Sequence, residues 1–400
     1  MGEINRRDLL GAGVALGLGA AATGALAQEG EGGGGAAPRR PAGAAAPPPA
    51  FAGGGPRMGP PVNKHIQPSS VDMNYKPRRV NKAIELWEDK QCIYYGGAGM
   101  GPGVDAYGQG VRMSQTYMDA INVEMEHGCL DFMQLREFMR GLVDGGPTRS
   151  GHRTPAVFVE TCIIGLDAAY MRANTWVLEQ LLDAGIHGIH MCHARRWEAI
   201  EVATQMGSRY PFPRPGITVP DNDTTPENNS TPSTGKTLKY RGLRGSSASY
   251  AAQIWGVNGA MYNHLADLWP LNPQGEIIFG VKIEDTFCDQ DYENVIALPG
   301  ISMAEWGPGD HSFWYYGLDI MPTDGSRPGD LTARSEMFNI RKGVLAACLK
   351  NGVSFLNAGS TDPNSSSYTI QQLKDGALVL EAGEDSAIIG REYSKRKMPV

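Results

Sequence analysis

The feature that most constrains this chain is a repeated alternation of short apolar runs and segments with helical periodicity. Strands covered by helices on both faces read as near-continuous apolar runs, and such units imply a parallel sheet. The alternation therefore predicts an α/β protein, and seven or eight units favour a closed (β/α)8 TIM barrel over an open sheet. The runs, in chain order, are QCIYYGG, INVEME, TPAVFVET, IHGIHMCH, EIIFGVKIED, ISMAEWG and VSFLNAG.

The amino-terminal part has the pattern of a targeting segment. Residues 1–27 contain Arg6 and Arg7, a stretch rich in Gly, Ala and Leu, and a small-residue A-x-A site at Ala25 and Ala27. This pattern predicts a signal peptide of the twin-arginine type and a periplasmic location. The alternative is an uncleaved amino-terminal anchor, although the apolar stretch is short and rich in Gly for a permanent membrane span.

Composition divides the rest of the chain. Residues 28–62 are dominated by Gly, Ala and Pro, which predicts a disordered linker. Residues 63–400 are expected to form the barrel, with residues 211–240, rich in Pro, Asn, Thr and Ser, as a surface insertion. A net charge of −7 disfavours nucleic acid as a partner, since that needs a basic face.

Two carboxylates follow successive predicted strands, and in a barrel such strand ends meet at one mouth. Glu284 ends the run VKIE, and Asp310 ends AEWGPGD. Oxygen ligands with open positions suit a divalent metal such as Mg²⁺, Mn²⁺ or Co²⁺, whereas either residue alone could equally cap a helix. Gly307 and Gly309 would let the backbone approach a ligand, so we expect them to bind substrate.

His127 also follows a predicted strand and precedes a helix, which places it at the same mouth. It is either a general base or a hydrogen-bonded structural residue. Asp183, at the end of a predicted helix, could orient it by hydrogen bonding.

Five segments in order resemble one known family: AINVEMEHG, LLDAGIHGI, KYRGLRGSS, GVKIED and AEWGPGDHS. They resemble the metal-dependent pyruvate aldolases of the HpcH/HpaI aldolase and citrate lyase β-subunit family, over about residues 78–360. The resemblance implies a (β/α)8 barrel, a homo-oligomer, and a metal held by Glu284 and Asp310. It also implies that His127, Asp183 and Arg244 are catalytic.

The chain departs from the family pattern at the third strand. Glu160 or a neighbour stands where the family has an Arg that steadies an enolate. Lys282 could supply the missing positive charge, or it could form an ion pair with Glu160. His193, at the end of the fourth strand, is a further candidate for the substrate site.

Taken together, these features predict a metal-dependent aldolase or lyase. It would make or cleave a carbon–carbon bond of a pyruvate-type 2-oxo acid through an enolate, with an aldehyde as the second substrate. Two alternatives remain open: a non-catalytic periplasmic protein that binds 2-oxo acids, and a lyase acting on coenzyme A esters.

Overall fold

Eight parallel strands close into a barrel in the order of the chain, which confirms the predicted TIM barrel. The computed structural model describes residues 63–221, 230–320, 334–357 and 366–400, so the predicted signal peptide and linker lie outside the described residues. The strands are β1 Ile93–Ala98, β2 Ala120–Glu124, β3 Ala156–Glu160, β4 Gly188–Met191, β5 Ile278–Ile283, β6 Met303–Trp306, β7 Ser354–Asn357 and β8 Val379–Glu381.

Helices follow the strands around the outside. They are α1 Lys82–Glu88, α2 Ala106–Met113, α3 Phe132–Gly145, α4 Ala168–Asp183, α5 Trp197–Val202, α6 Ser249–Trp255, α7 Gly259–Leu265, α8 Tyr292–Ile296, α9 Pro308–Tyr316, α10 Ser335–Asn351, α11 Ser366–Asp375 and α12 Glu384–Tyr393. Helix α5 continues into one π-helical turn, Ala203–Gly207. None of the helices in the described ranges is both long and apolar enough to cross a membrane.

Seven of the strands correspond to the seven apolar runs, and β8 is the addition. It has three residues, and it closes the barrel by pairing with the start of β1, where Val379 lies beside Ile93. A strand this short carries almost no periodicity of its own. Its pairing depends on the geometry of the closed barrel.

The barrel interior has an apolar floor. Side chains from seven strands pack with α1, whose Leu86 and Trp87 are buried and close the amino ends of the strands. The inward-facing members of this cluster include Ile93, Tyr95, Phe158, Met303, Leu356 and Val379. This floor places the polar side chains of the interior toward the carboxyl ends of the strands.

A buried ion cluster fixes α1 and the carboxyl-terminal segment to the start of β2. Asp119 is fully buried, and its carboxylate contacts Lys82 Nζ at 3.1 Å, Arg391 Nη2 at 3.2 Å and Arg396 Nη1 at 2.7 Å. Burial alone would raise the pKa of Asp119, but the three cations lower it well below its usual range. Asp119 is therefore ionised, as a buried ion pair requires.

The predicted surface insertion falls between α5 and α6. Within residues 211–221 and 230–240 the described backbone contains isolated bridges, Arg214 with Ile217 and Thr218 with Thr237, and no helix or strand.

Candidate metal centre at the barrel mouth

Glu284 and Asp310 both lie at the mouth of the barrel, at different depths. Glu284 directly follows β5 and is buried; its Oε1 accepts a hydrogen bond from the backbone N–H of His193 at 3.0 Å, and its Oε2 lies 3.0 Å from Lys282 Nζ. Asp310, in the first turn of α9, is more exposed, and its Oδ2 lies 3.1 Å from His127 Nε2. Among the described residues, no cluster of three potential ligands contains both carboxylates.

Glu126 connects the two. One ligand atom each from Glu126, His193 and Asp310 lie within 4.8 Å of one another, and the same holds for Glu126, Cys192 and Glu284. The Glu126 side chain is buried, and its Oε1 lies 3.1 Å from His193 Nε2 without a well-aligned hydrogen bond. A buried carboxylate oxygen needs a donor or a cation against it, and here His193 is the neighbouring group. Glu126 is therefore the carboxylate common to two candidate ligand groups at the mouth, one with Glu284 and one with Asp310.

His193 is held as a cation beside this set. Its Nδ1 lies 2.6 Å from Asp285 Oδ2, and its Nε2 lies 3.1 Å from Glu126 Oε1. Burial alone would lower the pKa of His193, but Asp285 and Glu126 raise it to about 9. Its backbone φ of +47° is rare for a residue other than Gly, and such conformations concentrate at functional sites.

Lys282 lies below the mouth, inside the barrel. Its Nζ contacts three carboxylates: Glu126 at 3.3 Å, Glu160 at 3.5 Å and Glu284 at 3.0 Å. The ion pair between Lys282 and Glu160 considered from the sequence is therefore present. With three carboxylates around it, the ammonium is fully engaged, and the free cation expected for a substrate oxygen is absent at this position among the described residues.

His127 is the exposed group of the mouth, with 58% of its side chain accessible. Its Nδ1 lies 3.4 Å from Glu124 Oε2, and its Nε2 faces Asp310. Burial would lower the pKa of His127, but Glu126, Glu124 and Asp310 together raise it above its ordinary value. An accessible imidazole between carboxylates can accept and return a proton.

Asp183 and Arg244 do not join this group, which corrects the expected pairing of Asp183 with His127 within the chain. Asp183 is the last residue of α4, a helix that runs back from the carboxyl end of β3 toward the amino end of β4. Among the described residues its partner is Arg244, at 3.2 Å; Arg244 is buried and also lies 3.2 Å from Tyr262 Oη. Glu124 takes the place beside His127 that was expected of Asp183.

The two glycines of the GPGD segment differ. A Cβ built on Gly307 would lie 2.9 Å from Glu284 Oε2 and 3.2 Å from Glu284 Cβ, whereas one on Gly309 would meet nothing within 4 Å. Gly307 therefore makes room for the Glu284 carboxylate. Gly309 lies at the open mouth, where substrate binding remains a prediction.

Sequence reasoning did not single out two carboxylates. They are Glu126, which follows β2, and Glu305 on β6. Glu305 is buried, and its Oε2 lies 3.1 Å from His190 Nε2. For Glu305 the available signal was a charged residue at the next-to-last position of an otherwise apolar strand.

Comparison with known proteins was made at the levels of sequence and structure. No protein-family profile matches the chain, and no curated protein matches its sequence significantly. Among solved structures, a HpcH/HpaI aldolase/citrate lyase family protein from Burkholderia cenocepacia J2315 matches at 18% identity and a TM-score of 0.50. The match covers 77% of this chain and 94% of that one.

Two further solved structures have lower scores. The HpcH/HpaI aldolase from Desulfitobacterium hafniense DCB-2 matches at 17% identity and a TM-score of 0.49, over 76% of this chain and 91% of that one. The citrate lyase β subunit of M. tuberculosis, solved with oxaloacetate and magnesium, matches at 12% identity and a TM-score of 0.39, over 76% and 97%. The Burkholderia match confirms, at the level of the fold, the predicted resemblance to the HpcH/HpaI aldolase/citrate lyase family.

Proposed function

We propose that this chain is a divergent, metal-dependent carbon–carbon lyase. It cleaves or forms a bond of a pyruvate-type 2-oxo acid through an enolate, with an aldehyde as the second substrate. The observation that carries the proposal is that Glu126 forms one candidate ligand group with Glu284 and another with Asp310 at the same mouth, with the exposed imidazole of His127 directly beside Asp310.

Glu126, Glu284 and Asp310 would hold the metal. The three carboxylates repel one another despite the neighbouring Lys282 and His193, and burial raises the pKa of Glu284 above its ordinary value. Because the set is made of oxygen, Mg²⁺, Mn²⁺ and Co²⁺ all suit it. A divalent cation bound there supplies a Lewis acid that stabilises negative charge on a 2-oxo acid as it enolises.

His127 moves the proton. It is accessible to a substrate at the mouth, and Glu124 at Nδ1 fixes the orientation of the ring. The neighbouring carboxylates favour the protonated imidazole, so a proton taken from the substrate carbon is held until it is returned to product.

His193 replaces the positive charge that the missing Arg would have supplied. It is a buried imidazolium at neutral pH, 4.0 Å from Glu284 Oε1, whereas Lys282 is engaged deeper in the barrel. The pairing of Glu160 with Lys282 also offsets the carboxylate that stands in the place of that Arg. Enolate stabilisation is therefore compatible with the departure from the family pattern.

The test is exchange of pyruvate methyl protons with deuterated water, followed by mass spectrometry. We expect exchange with added Mn²⁺ or Mg²⁺, loss on chelation and recovery on metal addition. Glu284→Gln and Asp310→Asn should lose both metal and exchange. His127→Ala should lose about 10²–10⁴-fold in rate while keeping the metal, and the exposed His264→Ala serves as its control.

Two results would contradict the proposal. Full exchange by metal-free protein would refute the role of the metal. Binding of 2-oxo acid without exchange would instead favour the binding-protein alternative, which the absence of the Arg supports. Export to the periplasm and a homo-oligomeric state are part of the proposal, and size-exclusion chromatography with light scattering tests the second.

A further inference from the structure

A second cluster of potential ligands lies inside the barrel, separate from the mouth. Glu160 on β3, His190 on β4 and Glu305 on β6 point inward, and each is at least nine-tenths buried. One ligand atom from each lies within 4.8 Å of the others. We name these three residues the inner site.

The contacts inside this cluster are not satisfied by hydrogen bonds. His190 Nε2 and Glu305 Oε2 face each other at 3.1 Å, yet neither atom has a hydrogen-bond partner in the described part of the chain. The other ring nitrogen, Nδ1, lies 3.6 Å from Glu160 Oε1. The two atoms can be satisfied by a proton between them or by a bound cation.

The charged side chains around the inner site also favour a bound cation. Glu126, Glu160 and Glu284 share the single ammonium of Lys282, and Glu305 adds a fourth buried carboxylate. His193 is a second cation in contact with Glu126, and it also pairs with Asp285. Burial raises the pKa of Glu305 to about 8 and that of Glu160 well above its ordinary value, so protons hold this charge in the metal-free chain and a divalent cation would replace them.

We infer that the inner site binds a first-row divalent transition metal through His190, Glu160 and Glu305. An imidazole with two carboxylates suits Zn²⁺, Mn²⁺ or Co²⁺ better than Mg²⁺, which prefers oxygen ligands and retains water. Tetrahedral ligands at ~2.1 Å from zinc lie about 3.4 Å apart. The 3.1 Å and 3.6 Å contacts involve different nitrogens of His190, so only one of the two carboxylates starts near that spacing from the ligating nitrogen. Burial keeps the pKa of His190 well below its ordinary value, which leaves the imidazole in its ligating form.

The inner site is distinct from the metal centre proposed at the mouth. Its three ligands lie within β3, β4 and β6, whereas Glu284 follows β5 and Asp310 lies in the first turn of α9. Lys282, which contacts both Glu160 and Glu284, lies between the two sets. An ion in the inner site would tie β3, β4 and β6 together beneath the mouth.

The experiment removes the mouth ligands first. In the full chain carrying Glu284→Gln and Asp310→Asn, Co²⁺ is titrated and followed by visible absorption, with bound metal measured by mass spectrometry. We expect about one equivalent to remain, with the absorption of a low-coordinate cobalt site and a metal-dependent rise in Tm. Activity is not needed, so the result is independent of the proposed lyase function.

Isosteric changes then locate that ion. Glu305→Gln or Glu160→Gln, added to the same background, should abolish the cobalt absorption and the metal-dependent rise in Tm, with folding checked by circular dichroism. Glu381→Gln, at the end of β8 and outside the cluster, should leave both unchanged. A folded background variant that binds no Co²⁺, or binding that persists in both isosteric variants, would overturn the inference and leave a proton as the charge between His190 and Glu305.

Discussion

The pKa of His193 is determined by the acidic residues that face its two ring nitrogens. Asp285 and Glu126 each face one imidazole nitrogen, and they outweigh the effect of burial on its pKa. The proton on His193 is therefore held more tightly in the folded chain than in the unfolded one, where a His pKa is about 6.5.

This difference has a definite sign in the pH dependence of stability. The contribution of His193 is fully present below about pH 6.5 and is lost as pH rises through about 9. For metal-free protein we expect the free energy of unfolding to fall across that window by up to about 3 kcal/mol. Denaturant titrations at several pH values measure it.

The matched variant is His193→Gln, which keeps a polar side chain but cannot carry the charge. Its stability should be flatter between pH 6.5 and 9 than that of the wild type, whereas His264→Gln should follow the wild type. Parallel curves for His193→Gln and the wild type would show that the histidine is not the group responsible.

The residues of the site were only partly accessible to sequence reasoning. A side chain directly after an apolar run must lie near the mouth, and this correctly located His127, Glu284 and Asp310. The expected position of Asp183 beside His127 was wrong, because a motif shows only which residues are neighbours along the chain. Helix α4 carries Asp183 back toward the amino ends of the strands. No spacing rule could show that Glu126 is the carboxylate that both others share.

At the scale of elements, the loop from β6 into α9 decides how Glu284 is presented. Gly307 precedes the first turn of α9 and lies against the Glu284 carboxylate, which Lys282 holds from the other side. Adding a methyl group there would displace the carboxylate, since a Cβ would come within 2.9 Å of Oε2.

Gly307→Ala should therefore lower metal affinity and exchange activity about 10–100-fold, the range typical of residues that orient a ligand. Gly309→Ala is the control for adding a methyl group two residues away, where a Cβ meets nothing within 4 Å. Isothermal titration with Mn²⁺ and the exchange assay measure both variants. Equal affinities would mean that Glu284 is not held by this contact.

The longer elements were the predictable ones. Seven strands were visible as apolar runs bounded by polar or Gly-containing segments, and the segments between them had helical periodicity. The three-residue β8 and the short α9, whose Pro308 and Gly309 look like a loop in sequence, were not. Pro is well tolerated in the first turn of a helix, so only the barrel context distinguishes α9 from a loop.

At the scale of the whole molecule, the amino-terminal pattern still makes a testable claim. Changing Arg6 and Arg7 together to Lys should leave the protein in the cytoplasm, because a twin-arginine signal depends on that pair. Cell fractionation and immunoblotting measure the distribution. The chain offers a matched control in Arg39 and Arg40, a second pair in the Gly/Ala/Pro-rich segment, where the same change should have no effect. Normal export of the Arg6 and Arg7 double variant would refute the assignment.

The buried ion pairs around Lys282 also limit which substitutions such a chain can accept. Removing one member of a buried ion pair costs about 3–5 kcal/mol, whereas replacing both members with well-packed apolar residues can be neutral. A relative in which Lys282 is replaced would therefore also need an uncharged residue in place of Glu160. A relative with an Arg on β3 would need an uncharged residue in place of Lys282. We expect relatives to carry either the Lys–Glu arrangement or neither half of it, with few intermediates between.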